Sequence, residues 1–243
     1  WRRSTPWTTW SACRRRSRTT RTTRSGRGAY ACRNLLAFVQ VPPRGLWGRS
    51  AQVTSTTTEA WLGRPLAAEP SIDDVVLRYV GAFGPATPGD VAAWSGLTGL
   101  REVVDRLRPR LRTFRDERGR ELFDLPDAPR PDADTPAPPR FLPEYDNALL
   151  SHADRTRFMA KDDLRGLPWG AAPLHGSVLV DGRGFGTWHI DRDKADGAAT
   201  LVIDHVGRLA GGDADAVGHE GLCLLRFLAP DATAHDVRLA VHA

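Results

Sequence analysis

Between residues 71 and 127 the sequence carries three apolar helical patterns followed by a hairpin with a polar tip, and this order restricts the fold more than any other feature. Ser71 precedes Ile72, Val75, Val76, Tyr79, Val80 and Phe83, a helical spacing with a capping side chain in front of it. Asp73 and Asp74 fall in the first turn, where the helix dipole favours negative charge. "GPAT" breaks this helix, and Pro88 suits the first position of a second, short one through "GDVAAW". "SGLTG" turns into a third helix, in which Leu100, Val103, Val104 and Leu107 recur at i, i+3, i+4 and i+7 as one apolar stripe. Pro109 limits its length. "RTFRD" and "RELFDLP" then read as two strands around "ERG". Three helices and a hairpin in this order are a winged helix-turn-helix, so an α+β fold class is expected.

Charge is polarised inside this unit. Residues 98–120 hold eight arginines against four acids, whereas residues 71–97 hold one against three. The excess falls on the third helix and the hairpin, the parts of such a module that meet DNA. Arg101, Arg106, Arg108, Arg115, Arg118 and Arg120 are the candidate phosphate contacts, and double-stranded DNA is the expected partner. Many winged helices pair with proteins instead. A non-enzymatic interaction or regulatory module therefore stays open beside the DNA reading.

Residues 128–143 contain six prolines and few core formers, which makes 128–148 an expected semi-rigid linker. After it, residues 149–243 read as a small mixed α/β domain with an antiparallel sheet. "LRGLPWGAAPLHG" is a loop, and "SVLVDGRGFGTWHI" is two alternating strands across an Asp181-Gly182 turn. "ATLVIDHV" is a third strand and "DVRLAVHA" a closing one. Between them "DADAVGHEGLCLLRFLA" is a helix expected to turn Leu222, Leu225 and Phe227 to a core, with Cys223 as a small buried hydrophobe.

The stretch "RFLPEYDNALLSHADRTR", residues 140–157, is the most polar mixture in the chain. A hydrolase built on it would need Glu144, Asp146 and His152 to converge on one pocket. A structural role is expected instead. Ser151 and Asp154 match an S-x-x-D capping box, Asp154 can pair with Arg157 at i+3, and Asp146 or Asn147 can cap the preceding turn. Arg140, Arg155 and Arg157 are secondary candidates for contact with a DNA backbone.

Other chemistries find little support. The seven histidines never stand at the i, i+3 or i, i+4 spacing of metal ligands, so no metal is expected. "GRGFG" lies inside a hairpin rather than between a strand and a helix, so no phosphate cradle is expected, and no cofactor is assigned. Cys13, Cys32 and Cys223 are too scattered for a disulfide framework or a C-x-x-C site. No run approaches the roughly 20 apolar residues of a membrane span. A soluble, cytoplasmic protein is the expectation.

The net charge of +5 and pI near 9.6 belong to the first segment alone. Residues 1–33 hold ten arginines and no acid, which leaves 24 basic against 29 acidic residues in 34–243, a net of −5. That segment lacks aliphatic residues and periodicity, and two readings stand: a basic disordered arm, or a stretch translated out of frame. Residues 34–66 then read as the tail of a domain whose beginning is missing.

"WLGRPL", "RYVGAFGPATPGDVAAWSGL", "RELFDLPDAPRPDADTPAPPRFLPEYDNALLSHADR" and "VLVDGRGFGTW", in this order, resemble the winged helix DNA-binding domain family of actinobacterial proteins, the broad family that includes the AlkZ-type DNA glycosylases. The resemblance spans residues 30–243 and implies tandem winged helices shaping a concave, DNA-facing surface. Glycosylase members carry a Gln-x-Gln or Gln-x-Asp motif near the N-terminus. Gln40 and Gln52 are the only glutamines here and are not two apart, so no catalytic residue is carried over. The resemblance implies a chain that begins inside the second winged helix, with residues 34–66 the remnant of that earlier module: a DNA-binding protein of DNA repair, glycosylase-like but lacking the catalytic motif.

Overall fold

A computed structural model describes residues 35–47, 49, 51–159 and 175–241; segment 1–33 and most of the loop expected over 164–176 lie outside them. The chain divides into two compact units, residues 1–70 and 71–243. In the first, β1 (Phe38–Gln40) and β2 (Ser55–Thr57) pair antiparallel, with Phe38 opposite Thr57. The β-branched Val53, Thr54, Thr56 and Thr57 suit this strand. Thr57 then caps α1 (Thr58–Leu62), its hydroxyl accepting from Ala60 N at 3.3 Å, and Gly63 ends it in the left-handed region at φ 67°. Gln40 lies in β1 and Gln52 in the connection to β2.

The second unit opens with α2 (Ile72–Phe83), α3 (Pro88–Ser95) and α4 (Leu100–Leu107). Ser71 accepts from Asp74 N and caps α2 as expected. Thr87 and Asp90 form a reciprocal capping box around Pro88 at the start of α3. Helix α4 ends where Pro109 forces a tighter 3-10 turn, Arg108–Arg110. The stripe of α4 meets Val76, Tyr79, Val80, Val91 and Phe123 in one core. β3 (Arg112–Arg115) and β4 (Glu121–Asp124) form the expected antiparallel hairpin, with Phe123 and Ala86 exchanging backbone hydrogen bonds on its other side.

A five-stranded sheet follows, ordered β5 (Arg140–Leu142), β6 (Gly176–Val180), β7 (Arg183–Arg192), β8 (Ala199–His205) and β9 (His235–Val241). Two features differ from expectation. Residues 140–142, inside the stretch expected as linker, pair with β6, because the prolines at 139 and 143 leave three residues free to join the ladder. β9 runs parallel to β8, so the sheet is mixed rather than antiparallel. The helix between them, α6 (Gly211–Leu228), is the crossover that parallel strands require.

Helix α6 covers one face of the sheet, and its Val217, Gly221 and Leu225 recur every four residues toward Val178, Leu201 and Ile203. A Cβ at Gly221 would come within 2.9 Å of Leu201, so glycine permits this close approach. Cys223 and Phe227 stand two residues past that stripe, on the other side of the helix, and both are exposed, contrary to the expected burial. In β7, Phe185 is the extra residue of a bulge opposite Val178 and Leu179, which brings it to the same core as Trp188 and Ile190 despite its odd spacing from both.

Candidate nucleic-acid interface

The β3–β4 tip is a closed polar turn. Asp116 Oδ1 accepts from the backbone N–H of Arg118 at 3.0 Å and of Arg120 at 2.8 Å, and Oδ2 takes the Arg120 Nε–H at 2.6 Å. Gly119 supplies the left-handed residue at φ 74°. With its backbone fixed, the tip holds the Arg118 and Arg120 side chains outward over the segment at 152–157.

That segment is anchored to the helices by buried polar contacts. Asp146 caps the short helix α5 (Asn147–Leu150), accepting from Ala148 N at 2.8 Å. The helix expected to begin at Ser151 does not form: Ser151 ends α5 and is fully buried. Its carbonyl is taken by Tyr79 and its hydroxyl by His152 Nδ1 at 2.9 Å, so no capping box exists with Asp154. Ala153 N donates to Asp90 Oδ1 at 2.9 Å. His152 Nε2 sits 3.0 Å from both the Phe83 carbonyl and Arg157 Nη1. Burial, and next the Arg157 charge, hold this histidine below its ordinary 6.5, with Asp90 opposing, so the ring is neutral at pH 7.

Asp154 pairs with the hairpin rather than with Arg157. Its Oδ2 accepts from Arg118 Nη1 at 2.9 Å and Arg120 Nη2 at 3.0 Å, while Oδ1 accepts from Thr156 N at 3.0 Å and Thr156 Oγ1 at 2.7 Å. The Thr156 bonds, and after them the two arginines, lower the carboxyl to about 2. Arg157 instead donates to the Pro85 carbonyl at 3.1 Å.

Between the hairpin tip and this segment lies an open cleft of about 570 Å³. Arg115, Arg118, Arg120, Arg157 and Arg183 line it, against Asp90, Asp116, Glu117 and Asp154. Arg183, at the start of β7, is not one of the arginines that the helix and hairpin patterns of the sequence point to. The signal was the Asp181-Gly182 turn beside it, which has φ of 49° and 67° and sets Arg183 at the hairpin end.

The other candidates lie elsewhere. Arg101 is exposed on α4 with no carboxylate in ion-pair range among the described residues. Arg106 is paired with Asp73 of α2. Arg108 makes a bidentate pair with Glu121 at 3.0 and 2.9 Å and a third contact to Asp105 at 3.1 Å. Arg140 donates to the Pro139 carbonyl at 3.0 Å, and Arg155 lines a cavity of about 30 Å³ with Glu144, Asp146 and His175. His152 belongs to the larger cleft, so Glu144, Asp146 and His152 do not converge as a hydrolytic site would require. Among the described residues, no group of three or more His, Cys, Asp or Glu side chains is placed to hold a metal ion. No described helix is long and apolar enough to cross a membrane.

A family model described as DNA glycosylase AlkZ-like matches residues 10–227, a span that begins inside the arginine-rich segment. Among solved structures, the Streptomyces sahachiroi DNA glycosylase AlkZ is similar in fold, with a TM-score of 0.59 at 23% identity. The likeness covers 84% of this chain and 54% of that one, so the chain spans about half the length of the solved relative. No curated protein matches the chain.

Proposed function

Since the chain belongs to the DNA glycosylase AlkZ-like family, we propose that it is a cytoplasmic DNA-repair protein that binds duplex DNA along the cleft between the β3–β4 tip and residues 152–157. In this reading residues 71–127 are a winged helix-turn-helix, β3–β4 is its wing, and residues 34–66 are part of an earlier module of the same kind. The observation that carries the proposal is the five-arginine lining of the cleft. Guanidinium groups suit phosphate oxygens in geometry and charge, and backbone contacts supply most of the affinity for DNA. Arg115 and Arg183 are the primary phosphate contacts, and Arg101 extends the basic track along α4. Catalysis is not assigned to this chain, because no pair of its glutamines forms the family's motif.

The test is fluorescence anisotropy with a labelled duplex over a series of salt concentrations. Binding should weaken linearly on a log–log plot, and Arg115→Ala combined with Arg183→Ala should reduce the slope by about 2. No measurable affinity at low salt, or an unchanged slope in the double variant, would overturn the reading. A stable dimer without DNA affinity would point instead to a protein-interaction module.

A further inference from the structure

We propose that Arg118 and Arg120 form a phosphate subsite which the chain fills with its own carboxylate, Asp154, until DNA displaces it. The inference rests on the duplex-binding reading above and adds a built-in competitor to it. Two guanidinium groups converge on one oxygen, Asp154 Oδ2, at 2.9 and 3.0 Å. A carboxylate and a phosphodiester each present two oxygens that share one negative charge, so the same pair of donors suits either.

The parts of this arrangement are separable. Asp154 is held in place by Thr156 through Oδ1, on the side away from the arginines, so it stays put when they leave. The hairpin tip is closed by Asp116 through its backbone, and Asp116 also takes the Arg120 Nε–H at 2.6 Å, so Arg118 can change partner whole and Arg120 through its Nη2 end without the turn opening. Both arginines are about half exposed, at 58% and 45% of the side chain, and face the open cleft. Water-exposed ion pairs are individually weak, and a polyanion exchanges for a carboxylate readily in such surroundings. Asp154 remains ionised throughout the neutral range, so its competition is constant rather than pH-gated. A purely structural stitch between the hairpin and residues 152–157 would use the same contacts but would have no consequence for DNA affinity.

The experiment compares the full 243-residue chain with Asp154→Asn in the salt-titrated anisotropy assay on a lesion-free duplex. Asparagine keeps an oxygen for Thr156 and removes the charge. The expected result is binding at least about threefold tighter at low salt, with a slope steeper by about 1, since Arg118 is released outright while Arg120 keeps its pair with Asp116. Adding Arg118→Ala and Arg120→Ala to Asp154→Asn should abolish the gain. If the unmodified chain binds DNA and Asp154→Asn binds no tighter, the subsite is refuted while the duplex-binding reading stands. If neither binds, both fail. Should Asp154→Asn melt early, nitrogen-15 spectra of the unmodified chain decide the matter. The Arg118 and Arg120 side-chain N–H signals should move on adding duplex, and unmoved signals refute the subsite.

Discussion

The hydroxyl of Tyr79 on α2 donates to the backbone carbonyl of Ser151, 72 residues later, and both residues are buried. The bond fixes the start of the segment that lines the cleft. Tyr79→Phe leaves that carbonyl without its donor at a site closed to water, at a cost of about 1–2 kcal/mol. Denaturant titration should show a lower midpoint with an unchanged m-value, since the rest of the core around Val76 and Val80 is untouched.

His152 makes stability depend on pH in a defined window. Its folded-state value lies below 6.5, chiefly because it is buried, so the unfolded chain binds the proton more readily. Stability is therefore full above pH 6.5 and falls as the pH drops toward the folded-state value. His152→Gln should flatten the slope between pH 6.5 and pH 5 in thermal melts. The carboxylates with lowered values start from an ordinary 3.8 for aspartates such as Asp90 and Asp154 and 4.5 for Glu121, so they act below about pH 5 and leave that window clear.

Gly176 passes directly beneath the Trp188 indole, whose Nε1–H donates to the Leu142 carbonyl at 3.0 Å. A Cβ there would overlap both the indole and that carbonyl. Gly176→Ala should cost roughly 1–3 kcal/mol and shift the tryptophan emission as the indole is displaced.

Arg106 and Arg108 offer a contrast to the cleft arginines. Asp73 holds the first, and Glu121 with Asp105 holds the second, outside the cleft. Alanine at both positions should change duplex affinity by less than about twofold, whereas Arg183→Ala should lower both the affinity and the salt slope. An equal loss for the two sets would remove the distinction between them.

What could be read in the sequence is what local chemistry decides. Ser71, Pro88 and the Leu100 stripe mark α2, α3 and α4 because caps and helical periodicity act within a turn or two. Asp181-Gly182 marks the β6–β7 turn for the same reason. Asp154 reads as part of a cap because Ser151-x-x-Asp154 satisfies a local pattern, while its arginine partners stand 34 and 36 residues upstream on a hairpin. Phe227 differs from its expected burial through helical phase: Val217, Gly221 and Leu225 define the buried stripe, and a run of leucines hides which one leads. The parallel placement of β9 departs from the antiparallel sheet expected, because the long helix between the two strands acts as a crossover rather than as a return. The cleft is not legible in the sequence, because it needs Arg115 and Arg183 brought together from hairpins of separate sheets.

The three-residue strand β5 also bears on how copies of this chain behave toward one another. It closes one side of the five-stranded sheet, and Pro139 and Pro143 bracket it. Neither proline has an amide hydrogen to offer, so the ladder cannot lengthen past Arg140 or Leu142. A strand from a neighbouring molecule finds too short a template there for stacking. The proline-rich stretch thus protects this side of the sheet from edge-to-edge aggregation.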